Sequence, residues 1–148
     1  MMMDDIYSSR ILDYAGNVGR LGRLDDADAA AQAHSRLCGS KVKVYLKMEA
    51  GRVSDFAQEV KACALGQASS AIMAKNVVGA SVEELRAARL AMLAMLKEEG
   101  EGPEGRFEEM RVLKPVKDFK ARHASTMLTF DAVVDCLDQI DARRAAAE

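Results

Sequence analysis

The sequence predicts an α+β fold: a small three-stranded antiparallel sheet with helices packed on one face. Three features point there. Ser40 to Met48 alternates Val42, Val44, Leu46 and Met48 with Lys41, Lys43, Tyr45 and Lys47, the period of a half-buried strand. Glu49-Ala50-Gly51-Arg52 reads as a hairpin turn, with Gly51 free to take positive φ, and Val53 to Ala62 is the return strand. From Leu65 onward the pattern is helical nearly to the end. Helices segregated from an antiparallel sheet define the class.

In chain order, Asp4 to Ala15 reads as a first helix, with Ile6, Ile11 and Leu12 on its apolar side. Gly16 to Gly22 ends it. Glycines at Gly16, Gly19 and Gly22 suggest a phosphate loop, but no strand precedes them and no Lys-Ser/Thr follows, and helix termination explains them. Leu24 to Ala33 is ambiguous, and a short strand is placed near Ala29–Ser35. Past the hairpin, Leu65 to Val78 is a helix stopped by Gly79. Ser81-Val82-Glu83-Glu84 is a capping box that opens a helix running to about Glu98. Glu98 to Gly105 reads as a solvated acidic, glycine-rich loop. Phe107 to Leu113 is a short helix ended before Pro115. Ala121 to about Arg143 is the final helix, with Met127, Phe130, Val133, Leu137 and Ile140 at helical spacing.

With 148 residues, no internal repeat and no linker, the chain is expected to be a single domain, 1–148. Apolar residues are 49% and charged residues 30%, as in globular proteins. Nine methionines and few aromatics imply an aliphatic, plastic core. A net charge of −2 with scattered lysines and arginines argues against a nucleic-acid partner. There is no apolar run of about 18 residues to span a membrane. The acidic N-terminus lacks a signal-peptide core, so the expected location is cytoplasmic and reducing. Three widely spaced cysteines are then read as metal ligands, sulfur chemistry or burial, not as a disulfide framework.

Cys63 lies where the return strand gives way to a helix. Such a corner offers unpaired backbone N–H groups and the positive end of a helix dipole, which favour thiolate chemistry. Cys38 lies just before the clean strand. Because a tight hairpin joins the two strands, Cys38 and Cys63 fall at the same end of the sheet. Cys136, beside the apolar stripe of the last helix, reads as a small core hydrophobe. His34 and His123 each carry ring nitrogens that bind metal and each reads equally well as a surface histidine. No nucleophilic triad or catalytic carboxylate pair is visible, so an enzyme is not expected.

Cys63-x-x-Gly66-x-Ala68-Ser69-Ser70 resembles the second cysteine motif of the NifU/IscU/SufU family of iron–sulfur assembly proteins. Cys38-Gly39 resembles that family's Cys-Gly-Asp. Tyr14 with Asn17-Val18-Gly19 resembles the stretch after its first helix. Val116-x-x-Phe119-x-Ala121-Arg122 resembles the run-up to its third cysteine, most closely in the SufU branch. The resemblance implies a NifU-like α+β scaffold that works with a cysteine desulfurase and with recipient iron–sulfur proteins or carriers. It implies an iron–sulfur cluster, or zinc, held by three cysteines and the aspartate, with a histidine beside the third cysteine in some branches. Here Ser40 stands at the aspartate position. Aligning on Arg122 puts the third cysteine at Ser125; aligning on His123 puts it at Ala124. Either way a thiolate is missing, and a serine hydroxyl binds iron or zinc poorly beside thiolates. The candidate ligands are therefore Cys38, Cys63 and His123. Three roles follow from the resemblance: a scaffold with a reduced ligand set, a persulfide acceptor for a desulfurase at Cys63, or an interaction module that binds no metal.

Overall fold

The computed structural model describes residues 7–36 and 39–147. Three antiparallel strands, β1 (Ala29–His34), β2 (Lys41–Glu49) and β3 (Arg52–Lys61), pair in the order β1-β2-β3. The expected sheet is therefore present, with ends within a residue or so of the expected ones. Ala50 and Gly51 both take positive φ, 53° and 78°, in the two-residue hairpin turn. That geometry matches the right-handed twist of the flanking strands. The register shifts between Lys47, opposite Asp55, and Met48, opposite Val53, which leaves Ser54 as the extra residue on β3.

The inner face carries Val42, Val44, Leu46 and Phe56, each 2% exposed or less. On β1 the inward positions are Ala29 and Ala31, so the last helix, α4 (His123–Ala147), packs close against that strand. Gln139 Nε2 of α4 donates to the carbonyl of Ala30 at 3.1 Å. From Ser125 to Phe130 every residue of α4 is buried, which makes it the central helix. Helix α2 (Ala64–Asn76) packs against both α4 and α1 (Ser9–Ala15). The helix α3 (Val82–Lys97) opens with the expected capping box: Ser81 Oγ accepts from the Glu84 N–H and the Glu84 carboxylate from the Ser81 N–H, both at 3.1 Å.

Three expectations need correction. First, α1 begins at Ser9, where Ser8 caps it. The expected start at Asp4, with Ile6, lies outside the described residues, and Leu12 is 49% exposed while Ile11 is buried. Second, Pro115 does not end the segment after Phe107. A 3₁₀ stretch runs Gly105–Asp118 through it. Its buried anchors are Phe107, Met110, Leu113 and Val116, spaced by three, which aligns them on one face of a three-residue-per-turn helix. Third, the acidic loop is packed, not merely solvated. A Cβ on Gly100 would meet the Ala94 carbonyl carbon at 3.0 Å, and Pro103 is buried, its carbonyl accepting from Arg111 Nε at 2.8 Å.

The Gly16–Gly22 stretch ends α1, as helix termination requires, and then lies along β3. Gln58 N–H donates to the Arg20 carbonyl, and Gly22 N–H to the Gln58 carbonyl. Buried Gln58 Nε2 donates to the Gly19 carbonyl at 2.9 Å and to the Ser70 carbonyl at 3.2 Å.

Candidate functional site

Cys63 is the N-cap of α2, with φ −65° and ψ 170°, extended backbone that turns the strand into the helix. Its thiol is partly exposed and is free among the described residues. The Cys63 N–H donates to Ser40 Oγ at 3.2 Å, and Cys63 Sγ donates to Ser125 Oγ at 3.4 Å. The serine hydroxyl donates onward to the Arg122 carbonyl at 3.1 Å. Ser40, Cys63 and Ser125, distant in sequence, thus meet at one corner built by the start of β2, the start of α2 and the start of α4. Ser125 is fully buried, whereas Ala124 is exposed. Of the two residues at which the sequence allowed the third cysteine to fall, it is Ser125 that lies beside Cys63.

The small residues after Cys63 are there to let two helices touch. A Cβ on Gly66 would fall 2.8 Å from the Ala62 Cβ and 3.2 Å from the Ser125 carbonyl oxygen. Ala68, Ser69 and Ser70 are each 0% exposed. Gly66 therefore sets the approach of α4 that brings Ser125 to the thiol. Gln67 closes the corner, its side chain donating to the Ala62 carbonyl at 2.9 Å.

The other candidates separate. Cys38 lies outside the described residues. Among its described neighbours, the Gly39 N–H donates to the Ser35 carbonyl at 2.9 Å and the Ser35 N–H to the Ser40 carbonyl at 2.8 Å, with Gly39 at φ 68°. His123 is 5% exposed, and its Nε2 sits 3.0 Å from the carbonyl oxygens of both Val116 and Lys117. Two carbonyl acceptors call for the ring N–H at Nε2, which leaves only Nδ1 to serve as a metal ligand. His123 thereby staples the start of α4 to the end of the 3₁₀ stretch. His34 is exposed at the end of β1. Cys136 is 0% exposed, its Sγ 3.8 Å from the Val44 carbonyl, and burial pushes its thiol up to about 12. The expectation of a core cysteine holds there. Among the described residues no group of three or more His, Cys, Asp or Glu is gathered to hold a metal ion.

One polar centre escaped the sequence reading. Glu109 of the 3₁₀ stretch accepts from Tyr14 OH at 2.6 Å, Lys75 Nζ at 2.9 Å and Asn76 Nδ2 at 3.0 Å, joining α1, α2 and that stretch. The Tyr14 hydrogen bond, then those from Lys75 and Asn76, hold its carboxyl down at about 2.

Comparison with known proteins agrees with the geometry. Residues 6–126 match the model of the NifU-like N terminal domain. The iron–sulfur cluster assembly scaffold protein IscU of Thermotoga maritima is 31% identical over 141 residues, covering 95% of this chain and 98% of that protein. The crystal structure of a nitrogen-fixing NifU-like protein (N-terminal) from Brucella abortus superposes with a TM-score of 0.94 at 64% identity, covering 96% of this chain and 99% of the other. The crystal structure of a proposed iron–sulfur cluster assembly scaffold protein for the SUF system, from Fervidobacterium islandicum, shares the fold, with a TM-score of 0.83 at 22% identity and coverage of 92% and 99%. On the family match and these relatives, the chain belongs to the NifU-like N-terminal domain family.

Proposed function

We propose that this chain acts in iron–sulfur cluster assembly, not as an enzyme but as a carrier whose working groups are the Cys63 and Cys38 thiols. The observation that carries the reading is the 3.4 Å contact between Cys63 Sγ and Ser125 Oγ at the mouth of α2. It supports reading this corner as the family's cysteine corner, with a hydroxyl where the resemblance expects a third thiolate. The cargo, iron or a cluster, or zinc in its place, is then held by Cys38 and Cys63, with His123 able to add only Nδ1. Such a site is open and releases its cargo readily, and a partner can complete it. A cysteine desulfurase as sulfur source and iron–sulfur proteins or carriers as recipients fit this role. A reducing cytoplasm, which keeps both cysteines as thiols, fits as well.

A second reading is favoured by the same two serines: Cys63 as a persulfide acceptor, which needs one thiolate and no metal. The Cys63 thiolate attacks the outer sulfur of a donor persulfide. The donor's S–S bond breaks, the donor leaves as a thiolate, and Cys63 becomes the persulfide with no net oxidation. Metal analysis of freshly purified protein separates the readings. The carrier reading expects stoichiometric iron or zinc, before or after anaerobic reconstitution, that is lost in Cys38→Ser and in Cys63→Ser. Absence of metal in both preparations overturns it. Mass spectrometry showing added sulfur at Cys63 after incubation with a desulfurase and cysteine then supports the acceptor reading, and no labelling removes that one too.

A further inference from the structure

We infer that the outer face of the sheet, at its Cys63 end, docks an acidic segment of the protein that passes sulfur to Cys63; the inference rests on the role of Cys63 proposed above. The strand register places His34 opposite Lys41 and Lys41 opposite Lys61. Paired residues project to the same face, so three basic side chains stand in one row across all three strands. Lys43 follows two residues later on that face, and Arg36 lies in the turn after β1. His34, Arg36, Lys41 and Lys61 are all exposed. A shallow depression of about 200 Å³ lies between the lysines, lined by Gln32, Lys41, Lys43, Glu59, Val60 and Lys61.

The row is not neutralised. Like charges directly opposite on adjacent strands repel, yet among the described residues no ion pair includes Lys41, Lys61, His34 or Arg36. The carboxylate in the depression is already engaged, since Glu59 accepts from Tyr45 OH at 2.5 Å and pairs with Arg23 at 3.6 Å. At the hairpin end of the same face the charges are balanced: Lys47 pairs with Asp26 at 2.6 Å and faces Asp55, which pairs with Arg20 at 3.6 Å. The uncompensated end is the one beside the thiol. Lys41 follows Ser40, whose hydroxyl holds the Cys63 N–H, and Lys61 lies two residues before Cys63. An acidic segment seated on the row is therefore held next to Cys63. A nucleic acid fits less well, because the chain's net charge is −2 and the aromatic ring of that face, Tyr45, is 8% exposed with its hydroxyl committed to Glu59.

The test uses two synthetic peptides, each with one cysteine activated as a thiopyridyl disulfide, flanked by glutamates in one and lysines in the other. The Cys63 thiolate attacks the peptide sulfur, the S–S bond breaks and pyridinethione leaves. Peptide mapping of the quenched full-length chain reads the rate at Cys63. At low salt the acidic peptide should react about ten-fold faster than the basic one, and the ratio should fall toward one at ~0.5 M salt. In Lys41→Glu/Lys61→Glu the ratio should drop below one, in Lys41→Gln/Lys61→Gln it should approach one, and Lys97→Glu should leave it in place. A ratio near one in the unaltered chain, or an equal response to Lys97→Glu, overturns the inference. So does a single-stranded oligonucleotide that shields Cys63 through Lys41 and Lys61 while the acidic peptide shows no preference. Zinc uptake by the charge-reversed variant, compared with Cys63→Ser, reads the role of Cys63 separately, so the failure of one does not pass for the failure of the other.

Discussion

The Glu109 junction and the Cys63 corner each gather polar groups from three distant segments, and they are built to opposite ends. At Glu109 every charge has its complement: a carboxylate receives a phenol, an ammonium and an amide within 3.0 Å. At Cys63, among the described residues, the sulfur has one weak neutral contact at 3.4 Å, and its two serine neighbours bring no charge to answer a thiolate. A polar cluster whose bonds are all made fastens the fold. A cluster that leaves a nucleophile lightly held keeps bonding capacity for something that arrives later.

The largest effect should come from completing the Cys63 corner. In a tetrahedral zinc site, with Zn–S near 2.3 Å, neighbouring sulfurs stand about 3.8 Å apart. The present separation of Cys63 Sγ and Ser125 Oγ is 3.4 Å, so a thiol at position 125 needs little movement to share a metal. Ser125→Cys combined with Ser40→Asp should raise zinc affinity about 100-fold or more, read by competition with a chromophoric chelator, and Cys63→Ser should cancel the gain. An unchanged affinity would mean that the serines are not what leaves this corner open.

How far the sequence revealed this contrast differs between the two clusters. The hairpin was legible because alternation and turn chemistry are local, and it brought the strand ends together without any tertiary information. The Cys63 corner was legible because its motif carries the geometry: Gly66 is small where Ser125 must approach. The Glu109 junction was not legible, since Tyr14, Lys75 and Glu109 belong to three elements whose packing no local pattern encodes. The 3₁₀ stretch was misread for a different reason. Its spacing of three from Phe107 to Val116 is visible in the sequence, but Pro115 was given the meaning it has in an α-helix. The basic row was hidden because lysines that look scattered along the chain are aligned by strand register.

Acid should next distinguish the fastening from the site. The carboxyl of Glu109 is held at about 2, below its ordinary 4.5. A depressed carboxyl stabilises the fold fully above its unfolded value and loses that contribution as the pH falls from about 4.5 toward 2. Because the Lys75 partner is 62% exposed, the contribution is taken as about 1–2 kcal/mol. Unfolding free energy measured from pH 6 down to pH 2.5 should fall by about that amount more in the unaltered chain than in Glu109→Gln, which starts lower. Parallel curves would show that the junction carries no linked stability and that its full set of bonds does not distinguish it from Cys63.

The smallest effect has the most telling sign. Three helices begin at comparable positions. Ser8 caps α1 by accepting from the Ile11 N–H at 3.3 Å, and Ser81 caps α3 by accepting from the Glu84 N–H at 3.1 Å. Cys63 occupies the same position on α2 and makes no side-chain cap bond. Sulfur is a weak acceptor, so α2 starts with its first N–H groups less well satisfied than those of its neighbours. Cys63→Ser should therefore stabilise the chain by about 0.5–1 kcal/mol, raising the thermal midpoint by about 1–3 °C, while removing all sulfur or metal load at the corner. Stability gained as function is lost is what a residue retained for its reactivity predicts. A midpoint lowered by a similar amount would make Cys63 a packing group, and the corner would then be a fastening of the same kind as Glu109.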